Sequence, residues 1–279
     1  MSRNKNRLGE SRPDVSDVPP VNSLLDFVKP TEFVDLPSGG TGYPEGHPLH
    51  GEDTVEIYHM TTKDEDILTS QTLLKKGIAI DRFIENIMVN KEIKPDNLLV
   101  GDKNAILIAA RISGYGSDYD GIVECGECGT KNRIMFNLHN STVRKGVVPE
   151  NLEATMHNNG TYSVKLPYTR FTAVVRMMTG ADETYLSKYM FNKKRKELPD
   201  NLLTTQFKRL IVSVEGHTDK ETLSNFIEKM PTADSRRIRL INRTITSEIQ
   251  IKESMVCKNC SHEEEVDVPF GANFFWPDR

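Results

Sequence analysis

All four cysteines of this 279-residue chain occur in two Cys-x-x-Cys turns, Cys125–Cys128 and Cys257–Cys260, here called the first and second knuckle. Apolar, strand-like residues precede each knuckle, a small residue (Gly129 or Ser261) follows it, and another strand-like stretch comes next. Such a turn presents two thiolates on one side of a tight loop, so two turns supply four ligands to a tetrahedral ion. The sequence therefore predicts one structural Zn²⁺ held by Cys125, Cys128, Cys257 and Cys260, with no ligand position open to substrate or water.

Other uses of these cysteines fit the sequence less well. Two disulfides would suit a secreted chain, but there is no secretory signal and no cysteine-rich framework. A redox Cys-x-x-Cys motif needs one pair at the start of a helix, whereas both pairs here lie between strand-like stretches. An iron–sulfur cluster uses the same ligands, and spacing alone does not separate it from zinc. Zinc is the favoured interpretation, and it would join the two knuckles across everything between them.

The overall composition argues against several classes of protein. The chain has a net charge of −4 and a pI near 6.0, with 37% hydrophobic and 27% charged residues. A dedicated nucleic-acid binder carries a strong basic excess, so no nucleic-acid partner is expected. No apolar run approaches the roughly 18 residues that a membrane span requires, so no membrane partner is expected either. We expect a protein of the reducing cytosol, where thiolates stay free to bind metal.

Hydrophobic periodicity and turn residues divide the chain into segments. The predicted fold class is α+β, a split zinc ribbon with an inserted helical domain, preceded by a mixed α/β segment and a disordered or extended N-terminal tail. The segments are the N-terminal tail (1–30), the α+β segment (31–120), the zinc ribbon halves (121–138 and 252–270), a β-rich connection (139–179), the helical insertion (180–251) and an aromatic C-terminal tail (271–279).

Local patterns place the elements within these segments. A capping box at Thr62 and Glu65 opens a helix that runs to about Lys76, and Thr218 with Glu221 forms a second box. Strands are expected over 53–58, 162–168 and 171–177. The other expected helices cover 81–89, 104–113, 182–196 and 202–214, with two more that begin near Thr218 and Thr232.

The sequence lacks the motifs of common catalytic sites. It contains no phosphate-binding loop, no Gly-x-Ser-x-Gly elbow and no His-Glu-x-x-His pair. His47 and His50 lie in a stretch rich in proline and glycine, where a role in a turn is favoured over metal binding. The basic clusters 192–196 and 235–239 are expected on solvated helix faces or protein interfaces. We therefore predict no enzymatic activity and no small-molecule substrate.

Apolar residues near both ends are candidate partner contacts. The first 30 residues are too polar to fold alone, so they form either a plain disordered tail or a docking segment. The apolar anchors of this tail are Leu24, Leu25 and Phe27. At the other end, an aromatic cluster is costly to expose, so its rings either fold back on the zinc ribbon or fill a partner's pocket. The candidate residues there are Phe274, Phe275 and Trp276.

A series of stretches, in a fixed order, resembles a known family. They are Phe33–His50 (FVDLPSGGTGYPEGHPLH), Met60–Ser70 (MTTKDEDILTS), Leu74–Gly77 (LKKG), Ile93–Asp96 (IKPD), Leu99–Asp102 (LVGD), Ala109–Tyr115 (AARISGY), the two knuckles and Phe274–Pro277 (FFWP). Together they resemble the baseplate hub proteins of T-even-type contractile-tailed bacteriophages. The similarity covers about residues 32–279 and leaves out the tail before them.

The resemblance implies a phage protein that is made in the host bacterial cytoplasm and acts in the tail baseplate. Its implied partners are other hub, wedge or tube proteins, and no enzymatic chemistry is implied. Two roles stay open, a structural component of the virion and a transient assembly chaperone that is absent from the mature particle. A zinc-ribbon nucleic-acid binder is a third alternative.

Overall fold

The computed structural model describes residues 28–148, 152–196, 201–269 and 272–275, which form a mixed α+β fold. Its helices are α1 (Thr62–Thr69), α2 (Gln71–Lys76), α3 (Ala79–Ile87), α4 (Val100–Tyr115), α5 (Gly180–Arg195), α6 (Leu202–Leu210), α7 (Lys220–Lys229) and α8 (Thr232–Ile245). Its strands are β1 (Thr31–Asp35), β2 (Thr54–Tyr58), β3 (Asp118–Glu124), β4 (Lys131–Asn137), β5 (Thr142–Arg144), β6 (Ala154–Met156), β7 (Thr161–Lys165), β8 (Thr172–Arg176), β9 (Ile211–Val214), β10 (Glu248–Gln250), β11 (Lys252–Val256) and β12 (Glu263–Asp267).

The N-terminal part combines four helices with a two-stranded sheet, and α4 packs against β1 of that sheet. Strands β1 and β2 pair antiparallel, and their alternation turns Val34, Val55 and Ile57 into the core. Helix α4 is apolar nearly all round and is buried along most of its length, as expected of a central helix. The strand and helices predicted over 53–113 are confirmed, except that Ser70 ends α1 and caps α2, which splits the first predicted helix.

The β-rich connection and the helical insertion share their sheets. Strands β6, β7, β8 and β9 form one antiparallel sheet, and β5 pairs with β10. Helix α8 packs against β8. Strands from residues 180–251 therefore pair with strands from 139–179, and the segment boundaries given above remain a prediction.

The helix expected over 202–214 is wrong in its last turn. Helix α6 ends at Leu210, and Ile211–Val214 form β9 at the edge of the four-stranded sheet. These four residues are Ile, Val, Ser and Val, and three of them are β-branched. They pair with β8 at Ala173, Val174 and Val175. Strand pairing therefore outweighs the helical spacing that continues from α6.

Four aspartates with no solvent exposure occupy the same position in four different helices. Each is the third residue of its helix, where free backbone amides and the helix dipole favour a negative charge. They are Asp64 in α1, Asp102 in α4, Asp182 in α5 and Asp234 in α8. Each carboxylate also reaches beyond its own helix to hold another part of the chain.

The partners of these aspartates are mostly loops and neighbouring helices. Asp102 accepts hydrogen bonds from the Ser38 amide and hydroxyl and from the Tyr43 hydroxyl, which fixes the glycine-rich loop after β1. Asp234 accepts from the amides of Tyr168 and Thr169 in the turn between β7 and β8. A buried carboxylate is tolerated only when such donors replace water, so each bond specifies where its loop lies.

The first capping box lies one residue earlier than predicted. Thr61 is the cap of α1 and Asp64 closes the box, in place of Thr62 and Glu65. Both pairs fit the sequence pattern, but Asp64 also accepts a hydrogen bond from Asn86 of α3 at 2.6 Å. This contact with α3 favours Asp64, whose side chain is shorter than that of Glu65, as the residue that closes the box. The same Thr-x-x-Asp box opens α5, with Thr179 and Asp182.

We predict that Asp182→Asn lowers the free energy of unfolding by about 2 kcal/mol at pH 7. Burial raises the pKa of Asp182, but hydrogen bonds from Arg176 and the Thr179 amide outweigh it and leave the pKa lowered. The charge therefore stabilises the protein above the unfolded-state pKa of about 3.9, and this contribution is lost as pH falls through the folded-state value. Urea unfolding from pH 7 to pH 3 should show the wild type converging on the variant.

The exposed Asp66→Asn in α1 serves as the control and should change stability by less than about 0.5 kcal/mol. A gap between wild type and Asp182→Asn that stayed constant down to pH 3 would contradict the assigned charge.

Candidate metal centre

Each knuckle lies at the tip of an antiparallel hairpin. Strands β3 and β4 pair up to Glu124 and Lys131, and the first knuckle connects them. The Cys125 amide donates to the Thr130 carbonyl at 3.0 Å, and the Gly129 amide donates to the Cys125 carbonyl at 2.8 Å. Gly129 has a φ of 69°, in the left-handed region that glycine enters without strain.

The second knuckle repeats this geometry at a constant offset along the sequence. The Cys257 amide donates to the His262 carbonyl at 2.9 Å, and the Ser261 amide donates to the Cys257 carbonyl at 2.9 Å. Ser261 stands where the first knuckle has Gly129, and its φ is 57°. The left-handed conformation is uncommon for a residue with a side chain, so the backbone of this turn is set by the site and not by the residue type.

The two knuckles meet, and their four sulfurs form one cluster. The Sγ atoms of Cys125 and Cys260 are 3.7 Å apart, and those of Cys128 and Cys257 are 3.6 Å apart. All four sulfurs lie within 4.8 Å of one another. A tetrahedral ion with metal–sulfur bonds of about 2.3 Å separates its ligands by about 3.8 Å, so the cluster fits a single ion.

One cysteine of each pair faces inward. Cys125 and Cys257, the first of each knuckle, are buried, whereas Cys128 and Cys260 are exposed. The two knuckles are therefore oriented alike, with the first cysteine on the inner side and the second on the solvent side. Four protein sulfurs complete a tetrahedral coordination shell, and this arrangement suits a structural ion better than one that must bind water or substrate.

Two reciprocal contacts, here called the clasps, hold the knuckles together. Asn132 of β4 accepts a hydrogen bond from the Lys258 amide of the second knuckle at 3.0 Å. Glu264 of β12 accepts one from the Gly126 amide of the first knuckle at 2.8 Å. Both residues lie four positions after the last cysteine of their own knuckle, and both acceptors bind the amide after the first cysteine of the other. The clasps are therefore related by the same approximate symmetry as the cysteines.

Amide donors also surround the sulfurs. The Asn132 side chain lies 3.7 Å from Cys257 Sγ, the Asn259 side chain lies 3.7 Å from Cys128 Sγ, and the Asn259 amide lies 3.5 Å from Cys257 Sγ. Hydrogen bonds to sulfur stabilise the thiolate, the form that binds metal. These neighbours orient the ligands and favour their charged state.

The thiol pKa values diverge within the cluster. Hydrogen bonding with the Thr130 side chain and backbone lowers the pKa of Cys128 to about 6, and the backbone amides of Cys260 and Asn259 lower the pKa of Cys257. The His262 backbone lowers the pKa of Cys260, but the neighbouring thiols outweigh it and raise that pKa to about 12. Four sulfurs this close repel one another as anions, and a divalent cation at their centre would remove that repulsion.

The C-terminal aromatic residues have a different environment from the one expected at an interface. Phe274 and Phe275 are buried inside the chain. The Phe274 ring packs edge-on to Tyr119 of β3, and the Phe275 ring packs edge-on to Phe83 of α3. Both rings fold back on this chain, against the base of the first hairpin and the helices instead of the knuckles, so they are covered without a partner.

Buried Arg111 holds this C-terminal segment in place. Its side chain donates to the carbonyls of Phe274, Gly116 and Asp118 at 2.7–3.1 Å. The other proposed partner contacts, Leu24, Leu25, Phe27 and Trp276, lie outside the described residues. His47 stacks on Tyr43, and His50 bonds to the Tyr43 carbonyl, which agrees with a role in the turn.

The sequence reasoning missed the clasp residues Asn132 and Glu264. A usable signal exists, because both occupy the same place relative to the knuckle before them. Asn132 in addition lies on a face of β4 shared with the buried Phe136. A polar residue on an inward face usually has a specific partner.

We predict that Glu264→Ala weakens metal binding about tenfold, because it frees one knuckle from the other without touching a ligand. Competition with a coloured chelator measures the change in affinity. Glu264→Gln keeps an acceptor oxygen and should stay close to the wild type, and the neighbouring exposed Glu263→Ala should do the same. Equal losses in Glu264→Ala and Glu263→Ala would argue that general charge, not the clasp, sets the affinity.

Comparison with known proteins agrees with the resemblance seen in the sequence. The family model described as T4 bacteriophage base plate protein matches residues 29–276, which include both knuckles and both clasp residues. Neither the curated proteins nor the solved structures gave a match. Among the described residues, no helix combines the length and apolarity that crossing a bilayer demands. The match spans most of the sequence, and the chain therefore belongs to the family of T4 bacteriophage base plate proteins.

Proposed function

We propose that this protein is a structural component of the hub of a contractile-tail baseplate, stabilised by one Zn²⁺ and engaged in protein–protein contacts during tail assembly. The family match over 29–276 carries the proposal. The four-sulfur cluster supports it, because a site closed by protein ligands contributes folding energy and offers no position for catalysis. The role is therefore mechanical and not enzymatic.

Zinc is the proposed ion for two reasons. The donor set is four thiolates, which zinc binds in structural sites. The sulfurs also lie within 4.8 Å of one another, which suits one ion. A multi-iron cluster would place a larger inorganic core between the cysteines and hold their sulfurs further apart. The ion would be held by Cys125, Cys128, Cys257 and Cys260, while Asn132 and Glu264 hold the knuckles that carry them.

The alternative role is a transient hub assembly chaperone that leaves before the particle is complete. The same fold and metal site would suit that role, so the two roles differ in whether the mature virion contains the protein. Nucleic-acid binding is disfavoured by the net charge of −4.

We predict about one equivalent of zinc in freshly purified protein. Cys257→Ser should lose it and unfold more easily by more than about 4 kcal/mol, because the ion's binding energy is part of the folding energy. Metal analysis and urea unfolding, with and without a chelator, measure both effects. Ser254→Ala, on an exposed position of β11, is the matched control and should keep the ion. One equivalent of iron, or two disulfides, would refute the zinc assignment.

We predict that the protein is recovered from purified, mature virions in a fixed ratio to known baseplate proteins. Quantitative mass spectrometry of particles and of tail-assembly intermediates gives that ratio. A structural component should be present in both samples, whereas a chaperone should be present only in the intermediates. Absence from mature particles would therefore overturn the structural role and support the alternative.

A further inference from the structure

The second half of helix α5 carries a run of basic residues, and the first carboxylate after this run is Glu197. From Tyr185 to Lys196 the sequence has five basic residues and no carboxylate, in a protein of net charge −4. They are Lys188, Lys193, Lys194, Arg195 and Lys196. Within the described part of the chain, none of the five forms a salt bridge. The only buried residues of α5 are Gly180 and Asp182, and both lie in its first turn. The rest of the helix therefore has a large surface open to a partner.

An exposed aromatic ring lies in the middle of these cations. Phe191 is 67% exposed. Helical spacing places Lys188 one turn before it and Lys194 and Arg195 one turn after it, on the same side of α5. We call these four residues the basic face. A partner that covered both the ring and the cations would remove apolar area from water and pair the charges, and aromatic residues with arginine are typical anchors of protein interfaces.

Exposed apolar side chains also occur at the start of α6. Helix α6 packs against α5, and its first residues, Leu202 and Leu203, are also exposed. Helices α5 and α6 therefore both expose apolar side chains, and α5 adds basic side chains that form no salt bridge with the described residues. Apolar contact supplies affinity, and charge selects the partner.

We propose that the basic face binds an acidic segment of a neighbouring protein in the baseplate, with an apolar side chain of that segment against Phe191. The inference rests on the proposed function, because it requires a neighbour in an assembled particle. Charge complementarity identifies the occupant as acidic. A second copy that met this surface through its own basic face would bring cations together, as a two-fold contact requires. A two-fold contact through this face is therefore unfavourable, and we assign the occupant to a different protein; the overall negative charge argues against nucleic acid.

Lysine acetylation, read by mass spectrometry, tests whether the basic face is covered. Isolated protein and purified baseplates are labelled under the same conditions. We expect the labelling of Lys188 and Lys194 to slow about tenfold in baseplates. Carbodiimide coupling, which joins an amine to a carboxylate that touches it, should link these lysines to Asp or Glu of another protein.

The double variant Lys194→Glu/Arg195→Glu provides a second measurement. Both side chains are exposed but lie in the last turn of α5, where the helix dipole favours cations, so the melting temperature should fall by no more than about 5 °C. Incorporation into baseplates should fall about tenfold. Lys75→Glu/Lys76→Glu reverses two exposed cations at the end of α2 and is the matched control, which should incorporate normally.

Other results would contradict the structural role, the covered basic face or the acidic partner. Absence of the wild-type chain from baseplates would overturn the structural role and this inference with it. Presence of the chain with Lys188 and Lys194 labelled as fast as in isolated protein would overturn the inference alone. Crosslinks to a second copy, or a gel shift of duplex DNA at low salt that the double variant abolishes, would replace the acidic neighbour with that other partner.

Discussion

Four carboxylates shielded from water, Asp64, Asp102, Asp182 and Asp234, determine how the loops of this protein meet its helices. Burying an ionised group is costly unless protein donors replace the lost water, so each of these sites allows few arrangements of its surroundings. The shared position at the third helical residue lowers that cost, because free amides and the helix dipole already favour negative charge there. What differs between the sites is the chemistry of the partners. Burial raises the pKa of Asp102, whose donors are neutral, whereas two arginines help keep the pKa of Asp182 low.

The metal centre also depends on hydrogen-bond donors that lie far away along the sequence. The clasps of Asn132 and Glu264 join the knuckles through backbone amides, so part of the docking energy comes from hydrogen bonds independent of an ion. An ion would then complete a site whose halves are already aligned, and less of its binding energy would go into ordering the chain. The repeated geometry also means that each hairpin both supplies ligands and positions those of the other.

Much of the fold follows from local patterns in the sequence. The cysteine spacing predicts the four-sulfur cluster, and helical periodicity predicts α3, α4, α5 and α8, because apolar spacing reports directly which face is buried. Other features depend on contacts that a local window does not contain. Strand β9 forms because β8 offers it a partner, and the α1 cap shifts to Thr61 because Asp64 meets Asn86. The clasp residues were missed for the same reason, since their partners are more than a hundred residues away.

The distance between the knuckles along the sequence has a consequence for synthesis on the ribosome. The first hairpin leaves the exit tunnel well before the second has been translated, by on the order of 10 s at bacterial elongation rates. During that interval Cys125 and Cys128 form half a site, with two thiols and no partners. Strands β5 to β10 and helices α5 to α8 are made before the second hairpin can arrive. Closure of the sulfur cluster is therefore a late event in the life of the nascent chain, and a polypeptide truncated before residue 257 can never complete it.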